Sequence, residues 1–406
     1  MPHRIMLHVS TTSREEALVL EGIRVLSFTH FLQGPSATQT LADLGAEVIK
    51  VEPPQGAFER SWSGPDAYLG DTSVFFLLGN RNVRSIRADL KDPKWRETIR
   101  ELVTRADVLI ESFRPGAMAR LGLGWDELHA LNPRLVYCSL SGYGPDGPYR
   151  DRPGQDVLLQ SLSGLAAATG AGDQPPTPTG ASIVDQHGAT LGALGILAAL
   201  HGRERTGVGT LVESNLLNAA LDLQIEPLSY HLNGFAGQRS PSGVSSGYYK
   251  APYGVFPTAD RHVTLSLNSL ATLTELFGDP WFVAVGEEHS YERRDEVNRR
   301  VAVHLAGRPL AEWEARFAEH RVWYAPVHDY ADVEIDPQVL HNESIIEFEH
   351  PQAGRVRTIG HPVTYDGVRP GVRTLPPALG ADTHAVLAEL GIDGETIDAL
   401  TGEVAA

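Results

Sequence analysis

The segment Ile183–Gly188 places an aspartate, Asp185, at the head of an apolar run that continues to Gly202, with His187 two residues further on. A carboxylate in that position has two uses. It can cap the helix as its N-cap residue, or, facing N–H groups that the first turn leaves unpaired, it can stay ionised and attack an electrophilic carbonyl. Upstream, Gln155 and Asp156 form a second polar pair. Moving a proton on and off a carbon requires an acid/base group on each side of it, and a glutamine side chain neither gives nor takes a proton. Asp156 reads as a turn or capping aspartate, and His187 as a packed or hydrogen-bonded histidine rather than a substitute base. Cys138 is the only cysteine. No intrachain disulfide and no cysteine metal cluster is therefore expected, and a reducing cytoplasm is the simplest location.

These side chains need elements to hold them. Ile23–Phe28 is a strand followed by a Gly34-Pro35 break, and Pro35 suits the first turn of a helix reaching Leu44. Gly45 ends that helix, Glu47–Glu52 is a second strand, and Pro53-Pro54 stops it. A helix over Pro93–Arg105 and strands at Asp107–Glu111 and Arg134–Ser139 continue the alternation, which predicts a parallel sheet with helices on both faces. Asp151–Gly180 is rich in Gly, Pro, Ala and Thr, and Gln174–Pro178 within it reads as a stiff, exposed connector. The run His187–Gly202 is apolar nearly all round and is expected to be buried. Ser, Gly and Tyr dominate Ser229–Tyr253, marking a domain boundary, after which come a strand at His262–Ser266, charged helices near Arg293–His304 and Leu310–His320, and an acidic helix over Ala381–Leu390.

Composition narrows the partners. With 34 Lys plus Arg against 51 Asp plus Glu, the formal net charge of −17 opposes a polyphosphate backbone, so no nucleic-acid partner is expected. Lysine occurs only at 50, 91, 94 and 250, and the remaining cations are arginines, whose forks suit carboxylates and phosphates. No stretch of about 18 consecutive apolar residues occurs, so no membrane partner is expected. The first twenty residues lack a signal-peptide core and read as a loose leader.

Taken in order, Leu20–Phe28, Gly34–Pro35, Ala42–Pro53, Asn80–Ile86, Asp107–Gly122, Asn132–Tyr137, Ser141–Pro148, Pro176–Gly180, Gly195–Leu200, Arg205–Gly209 and Ala251–Asp260 resemble class III coenzyme A transferases, which include formyl-CoA, carnitine and benzylsuccinate CoA-transferases. The resemblance runs from about residue 20 to 400. It implies an α/β fold: a Rossmann-like large domain built from residues 21–228 and 331–406, with a smaller α+β domain at 229–330, in an interlaced homodimer. It further implies transfer of CoA from an acyl-CoA donor to a free carboxylic acid, with the CoA thioester as substrate and no cofactor or metal bound permanently.

The family's catalytic aspartate falls on Asp185, which would carry an acyl anhydride and then a CoA thioester. Its CoA-binding positions fall on His30, Leu32, Lys91, Ser112, Phe113 and Arg120, and its active-site loop on Gln155, Gly243 and Gly247. Three positions depart from the pattern. Leu32 stands where relatives often carry Gln, with Gln33 following; Pro53 replaces a basic residue; and Gly243 and Gly247 are the sole counterparts of a glycine-rich loop.

The alternative within the fold is an α-methylacyl-CoA racemase, in which a His-Asp pair stands at the position of Gln155-Asp156. An NAD-dependent oxidoreductase is set aside because Thr29–Pro35 lacks G-x-G-x-x-G spacing, and a hydrolase because the one G-x-S-x-G, Gly243–Gly247, falls in a loop-like Ser- and Gly-rich run rather than between a strand and a helix.

Overall fold

The computed structural model describes residues 18–235, 237–240 and 247–402. In chain order the elements that matter here are β1 (Arg24–Phe28), α1 (Gln33–Asp43), β2 (Glu47–Glu52), β3 (Val83–Arg87), α2 (Pro93–Thr104), β4 (Val108–Glu111), β5 (Val136–Ser141), α3 (Asp156–Leu162), α4 (Ile183–Thr206), β6 (Leu211–Asn215), α5 (Leu216–Asp222), β7 (Tyr253–Pro257), β8 (His262–Ser266) and β9 (Tyr324–Pro326). Two compact units result. The first comprises the described residues up to Arg152 with Gly188–Asn215 and Gln338 onward; the second comprises Pro153–His187 and Leu216–Pro337.

In the first unit six strands form one sheet in the order β3-β2-β1-β4-β5-β6, every neighbouring pair parallel. Side chains alternate across a strand, so each strand supplies both faces. Val25, Val48, Val108 and Val136 pack with Ala37 and Leu41 of α1 and with Ala189, Ala193, Ile196 and Leu200 of α4. Leu26, Ile49, Leu109 and Tyr137 face Trp95, Ile99 and Leu102 of α2 and the C-terminal Val386, Leu387 and Leu390. Both faces being covered is why these strands read as continuous apolar runs. Asp92 caps α2 by accepting from the Lys94 N–H at 2.9 Å, with Pro93 following it. Leu18–Leu20, expected within the loose leader, belong to this unit, since the Leu20 N–H donates to the Leu44 carbonyl at 2.9 Å and its side chain packs on the core. The C-terminal segment closes the sheet's edge through Ser85, whose N–H donates to Asp382 at 2.8 Å.

One expectation changes. Helix α4 is not buried all round, because Leu194 is 60% exposed while one side packs on the sheet. By length and composition α4 is also apolar enough to cross a membrane, although polar residues break its apolar run; in this fold its buried side is a core face. Gln174–Pro178 is exposed and without regular structure, as read, while the Gly- and Pro-rich stretch before it contains α3 and a further helical turn, Leu165–Ala168.

The second unit carries a three-stranded antiparallel sheet, ordered β9-β8-β7, over a core of Phe256, Leu273, Phe282, Val297, Trp313 and Phe317. It takes in Pro153–His187 and starts again at Leu216, whereas composition placed the division at 229. The cause is specific bonding: the Gln224 amide donates to the Ser163 hydroxyl at 3.0 Å, and His187 bonds Asp222 on α5.

Candidate active site

The strand order reverses between β1 and β4, and in a parallel sheet the crevice beyond the strand ends at such a point is where ligands bind. His30 follows β1 and Ser112 follows β4. The His30 N–H donates to the Ser112 hydroxyl at 3.2 Å, and that hydroxyl lies 3.4 Å from His30 Nδ1. Phe113 stacks on the His30 ring at 5.7 Å between centroids. Burial pushes the His30 pKa down, as does Lys50, while Glu59 pulls it up; the net result favours the neutral ring. The structure thus brings His30, Ser112 and Phe113 together.

Below them sits a buried ion pair. Lys50 Nζ lies 2.7 Å from Glu59 Oε1 and donates to the Thr29 carbonyl at 3.2 Å, while Glu59 Oε2 accepts from the Phe31 N–H at 3.2 Å. These bonds hold Phe31 at a φ of 63°, a conformation that disfavours a bulky side chain. Phe31 is thereby presented outward, 43% exposed, with Phe58 at 4.6 Å and Trp62 beyond it. Glu52, two residues after Lys50, takes a two-pronged contact from Arg60 at 2.6 and 2.7 Å. Burial raises its pKa, but the Arg60 bonds and the charges of Lys50 and Arg60 bring it net below the usual value.

The remaining expected positions are spread more widely. Leu32 is buried at the start of α1, and the amide nitrogen of the next residue, Gln33, is buried with no hydrogen-bond partner among the described residues. Lys91 is exposed in the turn before α2, where its N–H donates to Asp89. Arg120 is exposed, and its guanidinium and that of Arg150 approach Gly116 so closely that an added Cβ would lie 3.3 and 2.9 Å from them. Arg150 was not singled out in the sequence, since only folding brings it to the Pro115 carbonyl, 3.1 Å away.

In the second unit Asp185 is the third residue of α4 rather than its N-cap. The capping acceptor is Asp156, whose Oδ2 takes the N–H groups of Val184 at 2.8 Å and Asp185 at 3.0 Å. The reading of Asp156 as a capping aspartate therefore holds, but the expected support for an ionised Asp185 is withdrawn. Burial, followed by repulsion from Asp156, pushes the Asp185 pKa up to about 7. His187 is engaged by Asp222 at 2.7 Å. Gln155 is exposed and makes no capping bond. Gly247 is a close-approach glycine, where a Cβ would stand 2.3 Å from the Gln238 carbonyl oxygen, and it lies beside a cavity of about 360 Å³ also lined by Ala168, Arg239 and Tyr248. Gly243 lies outside the described residues. Among the described residues no cluster of three or more His, Cys, Asp or Glu is placed to hold a metal.

One residue missed by sequence reasoning is Gln160, almost wholly buried, whose amide donates to Asp156 Oδ1 at 2.5 Å. Its signal was present: Asp156 and Gln160 are four apart, the spacing of neighbours on one helix face.

A six-stranded parallel sheet with His30, Ser112 and Phe113 gathered at its switch point is an α/β ligand-binding arrangement. Residues 20–383 match the family model CoA-transferase family III, and the chain belongs to that family of acyl-CoA CoA-transferases. It is 33% identical to the human succinyl-CoA:glutarate CoA-transferase, over 91% of this chain and 86% of that one. It is 34% identical to a formyl-CoA:oxalate CoA-transferase of Streptomyces avermitilis, over 93% and 97% of the two chains. Among solved structures, a mutant of Rv3272 from Mycobacterium tuberculosis superposes with a TM-score of 0.80 at 30% identity, covering 91% of this chain and 98% of that one. A CAIB/BAIF family protein from Brucella suis gives 0.78 at 28% identity, covering 91% and 99%. The family and these transferase relatives do not favour the racemase alternative.

Proposed function

We propose that Asp185 is the nucleophile of a CoA transfer between an acyl-CoA and a free carboxylic acid, the dicarboxylates and short acids named for its relatives marking the substrate range to test first. The observation that carries this reading is the Asp185 carboxyl itself, mostly buried at the head of α4 with a pKa of about 7, basic enough to be a good nucleophile and still ionisable at neutral pH. An Asp185 oxygen attacks the thioester carbonyl, the C–S bond breaks, and CoA leaves as the thiolate. The product is a mixed anhydride. The thiolate then attacks the Asp185 carbonyl carbon, the C–O bond breaks, and the donor acid departs as its carboxylate, leaving an Asp185–CoA thioester. The acceptor carboxylate repeats the two steps in reverse and restores Asp185. No net proton or electron is consumed.

His30, Ser112 and Phe113 are proposed to hold the CoA thioester at the switch point, with Leu32 lining the same crevice and Lys91, Arg120 and Arg150 serving its phosphates. The unpartnered Gln33 amide supports this assignment, because a buried donor without an acceptor is costly and a ligand oxygen would supply one. Gln155 and Gly247 are proposed to border the reacting acyl group. A homodimer is proposed as the working form; the exposure of Ile225, Leu232 and Phe235 in the second unit, at 68%, 74% and 69%, is apolar surface that a second copy would cover. A native mass consistent only with a monomer would refute that part.

The decisive experiment offers acyl-CoAs and free acids in a panel and follows exchange by mass spectrometry. The expected result is CoA transfer, together with a CoA adduct on the peptide containing Asp185. Deuterium uptake at the α-carbon without exchange between acids would replace this reading with the racemase one.

A further inference from the structure

The N–H groups at the start of a buried helix need an acceptor, and a neutral Ser, Thr or Asn side chain serves well. Here the acceptor is a second carboxylate, set beside a buried one. Its placement is deliberate in structural terms. Asp156 Oδ2 bonds both Val184 and Asp185 N–H groups, and Asp156 Oδ1 accepts from Gln160 Nε2 at 2.5 Å. Gln160 is 1% exposed, and its own orientation is fixed because its Oε1 accepts the Thr179 N–H at 2.8 Å. The amide nitrogen thereby faces Asp156, with a second, longer bond to the Ala181 carbonyl at 3.4 Å. The chain of contacts Thr179–Gln160–Asp156 thus ends on the backbone of the nucleophile.

We propose that Asp156 and Gln160 are positioning residues for Asp185: Asp156, oriented by Gln160, takes the helix-head N–H groups that would otherwise stabilise the Asp185 carboxylate, and so keeps that carboxylate basic and reactive. The inference rests on Asp185 being the nucleophile, and it adds a reason for the identity of its neighbours. A carboxylate supported by two N–H groups is a weaker base and a poorer nucleophile than one facing an anion. The groups beside Asp185 are consistent with this division. Asp156 on α3 is the charge that raises it, whereas His187, on the same helix, is hydrogen-bonded to Asp222 on α5. In the catalytic cycle the Asp185 proton is lost to water before attack, and the acyl steps then proceed as written above.

The test is Asp156→Asn, which keeps an oxygen acceptor for the two N–H groups and removes the charge. Wild-type kcat/KM is expected to fall on the acid side with a midpoint near 7. In Asp156→Asn that midpoint should move down by about one pH unit, and kcat at pH 8 should fall by about tenfold or more, with KM for the acyl-CoA little changed. Gln160→Met removes the bond that orients Asp156 and should lower kcat and move the midpoint down by less than Asp156→Asn does. If Asp156→Asn does not fold, Asp156→Ser offers a neutral cap and the same downward shift is expected. An acid midpoint that stays put in the neutral-cap variant, whatever happens to the rate, overturns the proposal. Failure here is separable from failure of the nucleophile: a wild-type enzyme that forms the CoA adduct on Asp185 but shows no shift refutes only the role of Asp156, whereas the absence of any adduct refutes both.

Discussion

At the carboxyl end of the sheet, Glu52 and Glu59 each have a cationic nitrogen within 2.7 Å, from Arg60 and Lys50, whereas Asp185 at the head of its helix has another carboxylate instead. The first pair of carboxylates is used for geometry: Glu59 holds the Phe31 N–H and Glu52 holds the Ala57 N–H. Among the described residues no cation pairs with Asp185, and burial with the charge of Asp156 pushes its pKa up to about 7. The same side-chain chemistry thus serves rigidity in one unit and, in the mechanism proposed above, reactivity in the other, with burial and the neighbouring charge making the difference.

The comparison can be broken most directly at Asp185. Asp185→Ala should cut CoA exchange by about a thousandfold or more while the circular dichroism spectrum stays that of the parent. Exchange that survives would show that the unpaired carboxyl is not the reactive one. At the paired end, Glu59→Gln leaves the Lys50 charge buried without its partner and is expected to destabilise the first unit by about 3–5 kcal/mol in denaturant unfolding. Replacing both, as Lys50→Met with Glu59→Met, should recover most of that loss.

The converse holds for Asp185→Asn. Because folding raises the Asp185 pKa from its ordinary value to about 7, the folded chain binds that proton more tightly than the unfolded chain. Stability is therefore present at low pH and lost as pH rises from about 4 towards about 7. Asp185→Asn should then be more stable than the parent at pH 8, by about 1–3 kcal/mol, and no different near pH 4. A stabilisation that did not depend on pH would point to packing instead. The smallest effect is expected from Phe31→Ala, since the ring is exposed: stability should change by less than about 1 kcal/mol, while KM for the acyl-CoA rises several-fold in steady-state assays.

Much of the fold was legible because its strands announce themselves. Glu47–Glu52 and His262–Ser266 appear as read, and Asp107–Glu111 and Arg134–Ser139 with ends moved by one or two residues. Apolar runs between Gly and Pro breaks leave little choice when both faces are covered. The helix over Asp156–Leu162 was not legible, since the Gly and Pro content around it dominated the segment; Asp156 was read as a capping aspartate, but that it caps the distant α4 was not. At the switch point His30, Ser112 and Phe113 were singled out by resemblance and do meet, but the Lys50–Glu59 pair beneath them gave no signal, because an ion pair nine residues apart through a proline-containing loop has no periodicity.

By itself the sequence determined the alternation of strands and helices, the family, and the place of Asp185 at the head of an apolar helix, because each depends on residue order and local pattern. The tertiary structure alone decided how that aspartate behaves. A carboxyl's affinity for a proton depends on what water is excluded and which charges stand nearby, and the nearest charge, Asp156, lies 29 residues away along the chain.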